Sequence, residues 1–247
     1  MFTLLKRLSA LLIAGILLAS SNVAMAEWET AWNMGFTTDY RFRGISQNNE
    51  NGTFSGGVDF SHSSGWYVGT WAATVEQVEL RGQKPDDADF ELDLYGGYGG
   101  NFTSALSYDI GLLYYAYPQG WQLDFLEVYG SLSYDFGPAA LTGGVAYSGD
   151  FFGETDDAQY YYVELDVPLP YFSDNLSASA HYGHQDIDDN AVFGTPDYDE
   201  WNIGVTYSWK GADFDLRYID TDISDRRCFG GTDLCDDELV FSITANF

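Results

Sequence analysis

From Glu27 to the last residue the chain repeats one motif: about ten residues in which apolar and polar side chains alternate, followed by a turn. Alternation with period two belongs to a β-strand with one apolar face. The runs fall at 28–42, 53–61, 66–80, 90–100, 105–117, 124–135, 139–149, 159–168, 175–185, 198–209, 212–220 and 237–247, which predicts twelve strands. About 9–11 tilted residues cross a bilayer as a strand, and nearly every run is that long. The apolar faces read Trp28, Trp32, Met34, Phe36, Tyr40 and Phe42 in the first run, and Phe90, Leu92, Leu94 and Tyr98 in the fourth. The ninth run has Leu176, Ala178, Ala180 and Tyr182; the tenth has Trp201, Ile203, Val205, Tyr207 and Trp209. In the third run Tyr67, Trp71, Ala73 and Val75 read as outward, although Trp66 and Val68 blur the choice.

Alternation alone does not separate a soluble sandwich from a membrane barrel. The connections do. Short turns at 62–65, 101–104, 136–138, 169–174 and 210–211 alternate strictly with longer segments at 43–52, 81–89, 118–123, 150–158, 186–197 and 221–236. Outer-membrane barrels place short turns in the periplasm and long loops outside. Aromatic residues at the strand ends match interface girdles. The last run, DELVFSITANF, keeps its alternation to a terminal Phe247 and resembles the assembly signal of such barrels. The expected fold is therefore all-β, a transmembrane antiparallel up-and-down β-barrel of about twelve strands.

The N-terminus sets the compartment. Lys6 and Arg7 precede the apolar run Leu8–Ala19, and Ala24-Met25-Ala26 forms an A-x-A site. Residues 1–26 read as a secretory signal peptide for the Sec pathway, cleaved after Ala26, with 27–247 as a single barrel domain. After this leader no stretch approaches the roughly 18 consecutive apolar residues of a transmembrane helix. The full chain carries a net charge of −28; losing Lys6 and Arg7 and no acid takes it to −30. That sign excludes nucleic acid as a partner. Aromatics at 17% exclude the disorder that strong acidity otherwise suggests. The mean hydropathy of −0.20 suits a barrel, since only alternate residues meet lipid. Cys228 and Cys235, the two cysteines, are expected to pair as a disulfide after export.

The candidate chemistry lies on the inward face. Asp39, Asp59, Glu91, Asp93, Asp109, Glu127, Glu164, Asp166, Asp213 and Asp215 outnumber Arg41, Arg43 and Arg217 there. Carboxylate rings favour cations. Strand adjacency suggests a cross-lumen field, with Arg41, Arg43 and Arg217 on one wall and acids opposite. The alternative is local pairing, Arg41 with Asp39 and Arg217 with Asp215. Inward Gly35, Gly57, Gly97, Gly144 and Gly183 leave room for water, or else allow barrel bending and tight aromatic packing outside. Outer loops are acidic: DDAD at 86–89, ETDD at 154–157, DIDD at 186–189 and DDE at 236–238. They read as solvated charge, as cation attraction at a pore mouth, or as divalent bridging to lipopolysaccharide; none has EF-hand spacing. Catalysis has little support. His62 sits in a turn, while His181 and His184 share one strand on opposite faces. His184 with Asp186 or Asp188 mimics a His–Asp pair, but no G-x-S-x-G motif supplies a nucleophile.

Residues 35–47, GFTTDYRFRGISQ, resemble the N-terminal signature of the TorF family of porins, a strand ending in (S/T)DY-x-FRG-x-S. Thr38-Asp39-Tyr40 and Phe42-Arg43-Gly44-Ile45-Ser46 fit that pattern. The resemblance implies a porin-like barrel in the bacterial outer membrane and names no substrate. The expected function is passive diffusion of small solutes or ions with cation preference. A closed structural or adhesive barrel is the alternative, and a barrel enzyme a lesser one. Expected partners are outer-membrane lipid and lipopolysaccharide, the barrel-assembly machinery and the small solutes themselves; no cofactor or metal is expected, and the oligomeric state is open. Whether the 221–236 loop, with Gly230 and Gly231 between its cysteines, folds inward as a lid is a further question.

Overall fold

The computed structural model describes residues 27–76 and 88–247. The signal segment, the end of the third run and Asp86–Asp87 lie outside the described residues. The described residues form fourteen strands in chain order. They are β1 (Trp28–Thr37), β2 (Arg41–Phe42), β3 (Ile45–Ser46), β4 (Thr53–His62), β5 (Trp66–Thr74), β6 (Phe90–Asn101), β7 (Leu106–Ala116) and β8 (Phe125–Asp135). The rest are β9 (Ala140–Ser148), β10 (Ala158–Pro168), β11 (Leu176–Ile187), β12 (Tyr198–Trp209), β13 (Ala212–Thr221) and β14 (Glu238–Asn246). Twelve of them close a barrel in which every neighbour is antiparallel, and β2 and β3 form a separate two-stranded hairpin.

The barrel is shut by β1, which pairs with β4 on one side and β14 on the other. The β1–β14 register runs from Asn33 opposite Asn246 to Thr37 opposite Ser242. The seam continues to the terminal residue: Phe247 N–H donates to the Trp32 carbonyl at 2.9 Å, and Trp32 N–H donates to the Phe247 carbonyl at 3.1 Å. Closure leaves the barrel wall with no open edge, which lipid surroundings require. The outward face is apolar, with Trp32, Met34, Ile110, Leu112, Ile203 and Val205 all exposed. Such a face is compatible with hydrocarbon and not with water, so the fold is a transmembrane barrel. Its turn end is tight. Lys210 and Gly211, both with positive φ, make the two-residue type I′ turn that matches strand twist.

Two expectations about facing are overturned. In β5, Trp66 and Val68 project outward, whereas Tyr67 and Trp71 point into the lumen. There Tyr67 Oη donates to Asp109 at 2.7 Å and Trp71 packs on Tyr40; Ala73 and Val75 are buried too. Large side chains on both faces made the period ambiguous, and inward partners decide it. The first run also stops early. β1 ends at Thr37, and Thr38 makes the last wall contacts, its N–H to the Phe241 carbonyl and its Oγ1 accepting from Phe241 N–H. Beyond it Tyr40 and Phe42 turn into the barrel and not out to lipid.

Candidate functional site

The inward segment is the signature itself. Arg41 pairs with Ser46 and Phe42 with Ile45 across β2 and β3, leaving Arg43 and Gly44 as a two-residue loop. Both have positive φ, 48° and 83°, the type I′ geometry in which glycine sits without penalty and arginine does not. Glycine is needed at 44 for space as well: a Cβ there would lie 2.6 Å from Thr221 Cγ2. Arg41 holds the root of the hairpin. Its Nε donates to Asp39 at 2.6 Å, and its Nη1 donates to the Gly44 and Asp236 carbonyls. Ser46 Oγ donates to Asp39 at 2.6 Å, and Ser46 N–H reaches the Leu234 carbonyl in the disulfide loop.

The hairpin crosses the lumen from β1 to the opposite wall. Arg43 Nη2 donates to both oxygens of Glu127 on β8, at 2.7 and 2.8 Å. Its Nη1 donates to Gln185 Oε1 on β11 at 2.6 Å. The guanidinium lies 4.1 Å from the ring centre of Tyr160 on β10 and 4.6 Å from that of Phe42, which adds cation–π attraction. Beside it Glu91 accepts from Tyr40 and Tyr117, each at 2.7 Å. Asp93 is fully buried, and among the described residues neither of its carboxyl oxygens has a hydrogen-bond partner. The far side of the loop end is packed with Phe125, Phe151 and Phe193, and the Cys228–Cys235 disulfide is buried among them. The disulfide therefore forms as expected, and its loop does fold inward. The hairpin and the disulfide loop pack together inside this end of the barrel.

The turn-end half of the lumen is lined differently. Asp59 and Asp109 are part-exposed, and they accept hydrogen bonds from Tyr95 and Tyr67. Arg217 is held by Asp215 at 3.2 Å, with Asn202 and Ser179 as further partners. Glycines here do not open space for water. A Cβ on Gly97 would strike Tyr67, one on Gly144 would strike Tyr162, and one on Gly183 would strike Tyr160. At these three positions a lumen tyrosine occupies the space a side chain would take, whereas Gly35 faces Ser55 and Gly57 faces the Thr70 carbonyl and Trp71.

The expected lumen residues Asp39, Arg41, Arg43, Asp59, Glu91, Asp93, Asp109, Glu127 and Arg217 thus all lie inside, in two groups. The cross-lumen field is corrected: Arg43 does not sit on one wall facing acids but reaches across and neutralises Glu127, while Arg41 and Arg217 pair locally with Asp39 and Asp215. Sequence reading missed Tyr160, Gln185 and Glu200 as lumen groups. Strand parity with Glu164, His181 and Asn202 carried that signal. His184 pairs with Asp199 at 2.7 Å on the outward face and not with Asp186 or Asp188. At the mouth, burial raises the Asp39 carboxyl above its ordinary range against the opposing Ser46 and Arg41. Burial and acidic neighbours likewise raise Asp236, and burial together with Asp233 raises Glu50 despite Arg41.

A sequence family described as a bacterial protein of unknown function (Gcw_chp) matches residues 21–247. Among curated proteins, none matches the chain. In fold the chain is similar to the KdgM porin in complex with disordered oligogalacturonate, with TM-score 0.58 at 7% identity, over 88% of this chain and 97% of that one. It is similar to the NanC porin with TM-score 0.55 at 10% identity, over 89% and 99%. LpxR from Salmonella typhimurium aligns with TM-score 0.49 at 13% identity, over 88% and 99%. At these identities the likeness is one of fold.

Proposed function

Because the chain belongs to the Gcw_chp family of bacterial proteins of unknown function, its role has to be argued from its own lumen, and we propose that it is an outer-membrane channel of the porin type for small cationic solutes, held closed by the Tyr40–Gln47 hairpin. The observation that carries this reading is the acid excess inside. Among the described residues Asp59, Glu91, Asp93 and Asp109 face the lumen with no arginine or lysine bonded to them, Glu200 is paired with His181, and the inward arginines are taken up by Asp39, Glu127 and Asp215. Carboxylate-lined paths favour cations and repel anions. The KdgM structure holds oligogalacturonate, a polyanion; an acidic lumen has the same sign of charge as such a chain and selects against it. The likeness of TTDYRFRGIS to the TorF porins supports a porin-type barrel and bears on no solute, and the apolar exterior and the Sec-type leader support placement in the outer membrane. Lipid, lipopolysaccharide and the assembly machinery that reads Phe247 follow as partners.

The hairpin's buried bonding favours a second reading, a barrel that stays closed and serves a structural or adhesive role. Planar-bilayer recording of refolded protein in a KCl gradient separates the two. Wild type is expected to pass little current, and a variant with residues 40–46 replaced by glycine and serine a steady cation-selective current. A silent variant refutes the channel, and an anion-selective one refutes the cation preference.

A further inference from the structure

Arg43 is a side chain of the closing hairpin, yet its contacts are those of a bound ligand. We infer that the wall formed by Glu127, Tyr160 and Gln185 is a receptor for planar guanidinium-bearing solutes, with Arg43 as its built-in occupant, so that such a cation competes with the hairpin for one socket. The inference rests on the reading of the lumen as a passage and names the solute class it admits.

Three observations support it. First, the socket is assembled by the barrel, independently of Arg43. Tyr115 Oη donates to Glu127 Oε2 at 3.2 Å. Tyr160 Oη is fixed between Glu200 at 2.5 Å and His181 at 2.8 Å, with its ring lying over Gly183. Gln185 Nε2 donates to the Gln159 and Asp186 carbonyls, which leaves Oε1 aimed at the lumen. A site held by its own second contacts needs no ordering when a ligand enters. Second, the geometry is specific for a planar fork: both Glu127 oxygens take hydrogen bonds from one nitrogen, Gln185 takes one from the other, and an aromatic ring lies under the plane. An ammonium, a compact point charge, cannot fill all three contacts at once. Third, an acceptor beside the socket is unused. Asp93 is buried, and among the described residues neither of its carboxyl oxygens takes a hydrogen bond. A guanidinium, with five N–H donors, has more to offer this region than Arg43 now uses.

The test uses methylguanidinium, with methylammonium as the equal-charge control, on refolded protein carrying R43A; R43Q replaces it should R43A fail to refold. Thermal unfolding comes first. In the vacant socket methylguanidinium is expected to raise Tm more than methylammonium does at the same concentration, and E127Q added to R43A is expected to abolish the difference. Wild type, whose socket is filled, is expected to show no such difference. Equal shifts from the two cations in R43A, or a difference that survives E127Q, overturn the receptor. Bilayer recording then reads the competition: methylguanidinium is expected to raise the open probability of wild type and to interrupt the current of R43A. An R43A that binds methylguanidinium but passes no current refutes the channel while leaving the socket standing.

Discussion

Glu127→Gln is the most direct perturbation of the closed state. Glu127 and Arg43 form a bidentate pair at 2.7 Å and 2.8 Å, with side chains only 4% and 7% exposed. Removing one partner of a buried pair costs about 3–5 kcal/mol, because the other charge is stranded. Glutamine is nearly isosteric and keeps one acceptor, which places the cost near the lower bound, about 3 kcal/mol. Release of the hairpin returns Arg43 to water and relieves that cost, so it falls on the docked state alone. At about 1.4 kcal/mol per tenfold, the released population rises roughly 100-fold. Native-state hydrogen exchange in detergent reads this at residues 39–50, where Ser46 N–H and Gln47 N–H are bonded to Leu234 and Tyr40. Their protection is expected to fall about 100-fold while that of β8 and β9 stays unchanged. D215N is the control. The Arg217–Asp215 pair is longer at 3.2 Å and more exposed, at 15% and 18%, and Arg217 keeps Asn202 and Ser179, so the effect on the hairpin is expected to be negligible. Wild-type protection in E127Q, or an equal loss in D215N, refutes the anchoring role of the Arg43 contact.

Gly44→Ala is expected to loosen the same hairpin by about 1–2 kcal/mol from its positive φ alone, and further by the clash with Thr221; unchanged exchange at 39–50 would contradict the close approach. Deleting Phe247 removes two seam hydrogen bonds to Trp32 and is expected to lower outer-membrane levels in cells far more than it lowers the unfolding temperature of refolded protein; normal membrane levels would count against its role in assembly. Acidification should tighten the closed mouth. Asp236 and Glu50 have folded-state pKa values raised above the ordinary carboxylate range. A raised carboxylate penalises the docked state once pH exceeds that raised value, and the penalty disappears as pH falls to the unfolded value of about 4. Exchange at 39–50, corrected for its intrinsic pH dependence, is expected to slow from neutral pH towards about pH 4.5, and faster corrected exchange there would reverse the sign.

The twelve-strand closure was legible in the chain because its causes are local. Period-two alternation defines each strand and its lipid face, turn chemistry such as Lys210-Gly211 ends the hairpins, and the alternation of short and long connections sets the up-and-down topology. The inward placement of Asp59, Glu91, Asp109 and Glu127 follows from the same parity. Three features were not legible. Asp39–Phe42 continues the alternation of β1, so in sequence it extends the strand; in the barrel the segment leaves the wall because Asp39, Arg41 and Arg43 all find partners within the lumen and Tyr40 finds Glu91. The facing of β5 was unreadable because both of its faces carry large side chains, and only the lumen supplies an acceptor for Tyr67. The inward glycines left room for water and packing outside the barrel as alternatives, and neither foresaw the lumen tyrosines that lie against Gly97, Gly144 and Gly183. Each of these depends on residues far apart in the chain meeting across a closed lumen: Arg43 and Glu127 are 84 positions apart, and Arg43 and Gln185 are 142 apart. The sequence by itself determined the wall, since a strand's outward face answers to lipid one residue at a time. What fills the lumen was decided by tertiary structure alone, because buried charges must be partnered and their partners are set by barrel closure.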